Sequence, residues 1–214
     1  MPMRIRWNVI APGLYGVLAF LAFDANLHPD AHAQARIGAP APAFTMPDSN
    51  GRPVSLGEFK GKTVVLEWTN HGCPYVGKHY RSNNMQSLQK KWTADGIIWL
   101  SVISSAPGTQ GHVTPAQANK LTADRNAAPT AVLLDPDGIA GRAYDARVTP
   151  HMYIVAGDGT LVYMGGIDDK PSARVSDIDG ATNYVDQALT EMAQGKPVSV
   201  TSSRPYGCTV KYAS

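Results

Sequence analysis

Apolar positions along the chain follow two alternating patterns: short β-branched runs and longer stretches at helical spacing. Val64-Val65-Leu66, Ile97–Ile103 and Ala131–Leu134 are the runs, and their length and composition predict buried strands. Beyond the first, Val76, Tyr80, Met85, Leu88 and Trp92 recur at roughly helical intervals and predict one helix opening at Pro74. Asp95-Gly96 turns the chain into the second run, and Thr114-Pro115 reads as N-cap and first position of a helix reaching about Arg125. Asp135-Pro136-Asp137-Gly138 closes the third run. Gly157-Asp158-Gly159 separates Tyr153-Ile154-Val155 from Leu161-Val162-Tyr163 as a hairpin. Ser49-Asn50-Gly51 does the same for Ala43–Met46 and Val54-Ser55-Leu56, ahead of the first main strand. Ala181–Gln194, with Tyr184, Ala188 and Met192 four apart, is a last amphipathic helix. Strands alternating with helices predict an α/β domain whose first half is largely parallel.

The two ends depart from this alternation. Arg4 and Arg6, an apolar run from Trp7 to Phe23, and Ala31-His32-Ala33 follow the order of a secretory signal peptide. The run is 17 residues long and contains Pro12, Gly13 and Gly16, short against the ~20 residues of a spanning helix. Residues 1–33 are therefore expected to be removed, with a periplasmic or secreted product and no membrane attachment afterwards. The 181 residues remaining of 214 suffice for one core, expected over 34–196. Residues 197–214 form a polar tail that carries Cys208. Nineteen basic against seventeen acidic side chains leave a formal charge of +2, too weak a bias to indicate nucleic acid as a partner. Two cysteines in an exported chain allow one disulfide or two reactive thiols.

The chemistry concentrates at the corner Asn70-His71-Gly72-Cys73-Pro74. A cysteine at a helix N-terminus meets free backbone N–H groups and the positive end of the helix dipole, both of which favour a thiolate. A protonated His71, two residues upstream, would add to that effect. Simple burial is the competing reading for a lone cysteine. Pro150, just ahead of a strand, is on its own compatible with an ordinary edge proline. Asp168-Asp169 reads as a solvated turn. His71, Cys73, His79, His151 and Met152 include donors that suit Cu(I), though only one motif cysteine is present.

The corner Asn70–Val76, together with Gly61-Lys62 before the strand, Gly165–Asp169 after the hairpin and Gly207–Lys211 in the tail, resembles the alkyl hydroperoxide reductase/thiol-specific antioxidant (redoxin) family. The likeness is to its peroxiredoxin-like branch. It implies a thioredoxin-like fold: a central mixed sheet flanked by helices, with an N-terminal β-hairpin and an extended C-terminal tail. It also implies a cis Thr149–Pro150 bond beside the nucleophile, leaving the residue before the proline free to pair with a substrate backbone. In true peroxiredoxins a Thr or Ser and an Arg serve the thiolate; here Asn70 stands in the first place and Arg147 is the nearest candidate for the second. The second cysteine of a dithiol thioredoxin is replaced by Val76.

The functional expectation is an exported thiol redox protein without cofactor or metal. Cys73 would be the nucleophile, Pro150 would shape the substrate groove, His71 would favour the thiolate, and Asn70 would offer an amide donor. The substrate would be a peroxide or a protein disulfide, and a dithiol protein would be the reductant; oligomeric state is left open. Cys208 is the other thiol able to resolve oxidised Cys73, within the chain or across a dimer. The last helix would carry the chain about 21 Å away, and the roughly fourteen steps from Gln194 to Cys208 reach up to about 46 Å when extended. Such a bond closes about 135 residues, worth roughly 5 kcal/mol to the fold, so it could equally be a permanent staple. A non-catalytic redoxin scaffold binding a partner or Cu(I) is the alternative.

Overall fold

A computed structural model describes Met1 and residues 34–213; the expected signal peptide lies outside the described residues. Thr45–Pro47 (β1) and Pro53–Ser55 (β2) pair antiparallel with Met46 opposite Val54. The hairpin expected from Ser49-Asn50-Gly51 is therefore present, and Asp48 Oδ1 tightens it by accepting from the N–H groups of Asn50 and Arg52.

Val64–Trp68 (β3) is buried along its whole length. It runs parallel to Ile98–Ile103 (β4), which runs parallel to Ala131–Leu134 (β5). On the other side β3 pairs antiparallel with His151–Val155 (β7), which pairs with Leu161–Gly165 (β8). The order β5-β4-β3-β7-β8 makes a five-stranded mixed sheet with β3 at its centre. Alternation along β3 and β7 divides the core. Val64, Leu66, Trp68, Tyr153 and Val155 pack with Phe44, Tyr144 and the N-terminal hairpin. Val65, Met152 and Ile154 pack with the helices on the opposite face. Full burial of each such aliphatic side chain is worth about 1.5–3 kcal/mol.

The helix expected after Cys73 is two helices, Pro74–Arg81 (α1) and Asn84–Ala94 (α2). Asn83 breaks them at φ 60°, a left-handed conformation that asparagine tolerates better than most residues. Met85, Leu88 and Trp92 of α2 then pack into the core. Pro115–Asp124 (α3) opens on Thr114 with a reciprocal cap from Gln117, as expected. The turn at 135–138 continues into Ile139–Ala143 (α4) because the Asp135 carboxylate accepts from the N–H groups of Ala140 and Gly141. Tyr184–Ala193 (α5) supplies Val185, Ala188 and Leu189 to the core.

Glu67 and His151 are two of the titratable groups buried inside. Glu67, on the helix-facing side of β3, accepts from Tyr80 Oη at 2.9 Å, Trp99 Nε1 at 2.9 Å, Ser101 Oγ at 3.0 Å and Gln89 Nε2 at 3.1 Å. Burial raises its pKa, and the hydrogen bonds offset part of that. His151 Nδ1 lies 3.0 Å from Tyr153 Oη, whose hydroxyl donates to Tyr144 O.

Burial pushes the His151 pKa down to about 4. A histidine depressed in the folded state contributes stability at neutral pH. That contribution is lost as pH falls through the ordinary value near 6.5 toward 4, because the unfolded chain takes up the proton first. Between about pH 7 and pH 4.5 His151 should cost the fold roughly 2–3 kcal/mol. Urea unfolding at both pH values should therefore show a smaller acid loss in His151→Phe than in wild type, by about that amount. Glu67 acts in the opposite sense but equally in both proteins, so the difference isolates His151. Equal losses would mean that the imidazole titrates normally.

Candidate active site

The strand-to-helix corner is built by its own polar groups. Asn70 Oδ1 accepts from Gly72 N at 2.9 Å, and Asn70 O accepts from Cys73 N at 3.1 Å. Cys73 is thereby set as the N-cap residue of α1, with Pro74 in the first turn. Cys73 stands at the positive end of the α1 dipole, but its Sγ makes no capping hydrogen bond with the backbone N–H groups of the first turn. Asn70 Nδ2, the expected substrate donor, is instead committed to Gln110: it donates to the side-chain oxygen at 3.1 Å and to the backbone oxygen at 3.4 Å. Gly111, at φ +101°, allows this approach, since a Cβ there would lie 2.5 Å from Asn70 Nδ2. Asn70 holds the loop and does not reach toward the thiol.

Cys73 is 1% exposed, and its Sγ lies 3.1 Å from Thr149 O. The Thr149–Pro150 peptide is cis, as the resemblance implied. Val148–Thr149 (β6) pairs antiparallel with Cys208–Thr209 (β9), placing Cys208 opposite Thr149. The two cysteines expected to act together thus meet across one backbone residue, both as free thiols. The Cys208 thiol is pushed up to about 12, first by burial, then by its hydrogen bond to Cys73 and by the Cys73 charge.

The tail arrives at this position through a buried polar cluster. Lys78 on α1 and Asp168 beyond β8 form an ion pair at 3.0 Å with almost no exposure of either side chain. Lys78 Nζ also donates to Lys170 O at 2.8 Å and to Tyr206 Oη at 3.2 Å. Tyr206 Oη donates to Asp168 Oδ1, and His79 Nε2 lies 3.2 Å from the same hydroxyl. The Tyr206 ring meets Tyr75 edge-on, centroids 5.9 Å apart. Sequence reasoning missed this cluster. Asp168 is buried, a correction to the solvated turn expected at 168–169; Asp169 pairs with Lys170 on the surface. The available signals were Lys78, two residues from apolar Val76 in the helix after Cys73, and the Gly-x-Ile-Asp-Asp stretch.

Other expected residues are placed elsewhere. His71 is exposed, and burial of its ring together with the neighbouring Arg125 guanidinium lowers its pKa. At neutral pH it is uncharged, so the expected protonated His71 is corrected. The cations lining the groove at Cys73 are Arg81 and Arg125. Arg125 stacks 4.5 Å over the Tyr80 ring and donates to His71 O at 3.0 Å. Arg147, the candidate peroxide-orienting guanidinium, is exposed and paired with Asp145 at 2.7 Å. His79 and His151 are tied to tyrosine hydroxyls, and among the described residues no three His, Cys, Asp or Glu side chains converge on a common point.

Residues 37–164 match the model of the AhpC/TSA family. Thiol-disulfide oxidoreductase ResA of Bacillus subtilis (strain 168) is 24% identical over 132 residues, covering 58% of this chain and 64% of ResA. An uncharacterized conserved protein from Geobacillus kaustophilus superposes with a TM-score of 0.73 at 24% identity, over 85% of this chain and 95% of that one. A hypothetical protein from Sinorhizobium meliloti 1021 follows at 0.70 and 20%, over 86% and 98%. The fold is thioredoxin-like. With the family match running from the segment before β1 to Met164 in β8, the chain belongs to the AhpC/TSA family.

Proposed function

We propose that this chain is an exported thiol–disulfide oxidoreductase in which Cys73 is the nucleophile and Cys208 the resolving thiol. The observation that carries the reading is the β6–β9 pairing, which sets Cys208 opposite Thr149 while Cys73 Sγ lies against the same residue's carbonyl. In the forward step the Cys73 thiolate attacks one sulfur of a substrate disulfide. That bond breaks, a Cys73 mixed disulfide forms, and the displaced thiolate takes a proton. Cys208 then gives up its proton and attacks Cys73 Sγ, releasing the second substrate thiol and closing Cys73–Cys208. Two electrons have passed to the substrate, and a dithiol protein returns them.

The raised Cys208 pKa suits this order. Two of its causes are the hydrogen bond to Cys73 and the Cys73 charge. Both vanish once Cys73 is in a mixed disulfide, so Cys208 ionises more readily at the step that needs it. Pro150 shapes the groove by leaving Thr149 to pair with backbone.

A peroxide is the second reading, favoured by Arg81 and Arg125 in the groove at Cys73, where they could stabilise charge on a leaving oxygen. It is placed second because Asn70 and Arg147 are occupied elsewhere. In that case Cys73 becomes a sulfenate with release of an alcohol or water, and Cys208 resolves it with loss of water. Residues 1–33 would be the leader, 34–196 the domain and 197–214 the resolving tail.

Cys208→Ser, treated with oxidised glutathione, should retain one glutathione per chain on Cys73 by intact mass, whereas wild type should close Cys73–Cys208 and retain none. The wild-type Cys73–Cys208 couple should have a reduction potential well above the roughly −300 mV of structural disulfides. Retention in wild type with Cys208 still alkylatable would remove the resolving role. Because His71 is neutral, His71→Ala should leave Cys73 alkylation at pH 7 within about twofold of wild type; a larger fall would restore its electrostatic part. Protein recovered from an exporting host should begin at Gln34, checked by N-terminal mass spectrometry; retention of Met1–Ala33 would contradict the leader.

A further inference from the structure

The β6 edge is the place where a partner's polypeptide would add, since Thr149 precedes the cis proline and lies against Cys73. In this chain that edge is taken. Cys208 and Thr209 pair with Thr149 and Val148 in antiparallel register, and Val210 N continues the ladder to Arg147 O at 3.0 Å. The docked segment is fixed on both sides of Cys208. Upstream, Tyr206 rests on the buried Lys78–Asp168 pair and on Tyr75. Downstream, Lys211 O accepts from Ala106 N at 2.8 Å and Tyr212 Oη donates to Ala146 O at 2.6 Å.

Between these anchors, Gly207 has φ +146°, and a Cβ there would lie 1.9 Å from Thr149 O. Any strand docked in this register therefore needs glycine immediately before its cysteine. A buried charge pair is costly to leave without its remaining hydrogen bonds, and Tyr206 supplies one to each member. Removing that hydroxyl should strongly weaken docking of the tail while leaving the groove intact.

We propose that residues 204–212 are a self-docked strand, latched by Tyr206 on Lys78–Asp168, that occupies the Thr149 edge and competes there with an extended partner segment of aromatic-Gly-Cys type. The proposal deepens the redox reading and rests on it, for the partner is the polypeptide substrate or reductant of that same cysteine. While the tail is docked, extended polypeptides are kept from Thr149, and only a partner bearing glycine before its cysteine can replace the tail in register.

The test uses a fluorescein-labelled peptide copying residues 203–213 and carrying Cys208→Ser, followed by fluorescence anisotropy with the full chain. Wild type should bind it weakly, because its own tail competes at high local concentration. Tyr206→Ala, which loses hydrogen bonds to charged groups worth about tenfold each, and separately Gly207→Ala, which would put a Cβ 1.9 Å from Thr149 O, should each make the protein bind it at least tenfold more tightly. The second variant leaves Lys78, Asp168 and Tyr206 untouched, so a folding defect from the first does not decide the outcome. The same peptide carrying Gly207→Ala should lose this binding. No gain in either variant, or equal binding by both peptides, overturns the proposal. The probe has no thiol, so binding is read apart from the chemistry. Tight binding by the variants with Cys73 inert toward oxidised glutathione would keep the docking edge and remove the redox reading; a reactive Cys73 with no gain in binding would remove the docking edge alone.

Discussion

The buried ammonium of Lys78 constrains everything around the candidate site. A charge with no exposure must be paired and hydrogen-bonded, and loss of one partner of such a pair typically costs about 3–5 kcal/mol. Asp168, Lys170 O and Tyr206 Oη meet that demand. They come from the end of the last hairpin and from the tail, whereas Lys78 is on the helix that Cys73 opens. One charge thus ties the helix that Cys73 opens to the sheet edge and to the segment carrying the second thiol. His79 belongs to the same cluster and stays neutral at physiological pH, since burial, opposed by Asp168 and aided by Lys78, lowers its pKa to about 4.

The electrostatics around the thiols follow from burial more than from formal charge. His71 is neutral, and the guanidinium groups in the groove belong to Arg81 and Arg125, from the end of α1 and the C-cap of α3. Below the corner, the Glu67 carboxyl sits among four neutral donors from α1, α2 and β4. Those donors make burial of an acidic group tolerable in the strand that leads to Cys73. They also bind that strand to the helices, so the corner is supported from beneath by hydrogen bonds as well as by the apolar face of Val65.

Patterning made most of the fold legible. Runs such as Val64-Val65-Leu66 and Ile97–Ile103 are apolar on both faces, which suits only the middle of a covered sheet. The Thr114-Pro115 cap and the Gly157-Asp158-Gly159 turn carry their instructions locally. The α1–α2 break escaped because Asn83 interrupts a pattern that remains periodic across it, and apolar spacing does not record one left-handed residue. Helix α4 escaped because its start depends on Asp135 capping the backbone N–H groups of Ala140 and Gly141, a tertiary choice among several turn geometries.

At the candidate site, the sequence by itself singled out Cys73 and Cys208, and the family resemblance it carries added Pro150. Each is marked by local chemistry: a thiol at a helix start, a proline at a strand start, a lone cysteine in a polar tail. Only the tertiary structure decided which polar neighbours serve them. Asn70 could have faced the thiol but is drawn to Gln110 by a loop forty residues away, and Asp168 could have been solvated but is claimed by Lys78, ninety residues earlier. The physical reason is that long side chains with several donors or acceptors are satisfied by whatever the fold brings within about 3 Å. Chain spacing carries no record of that choice, whereas strand and helix periodicity is written into every few residues.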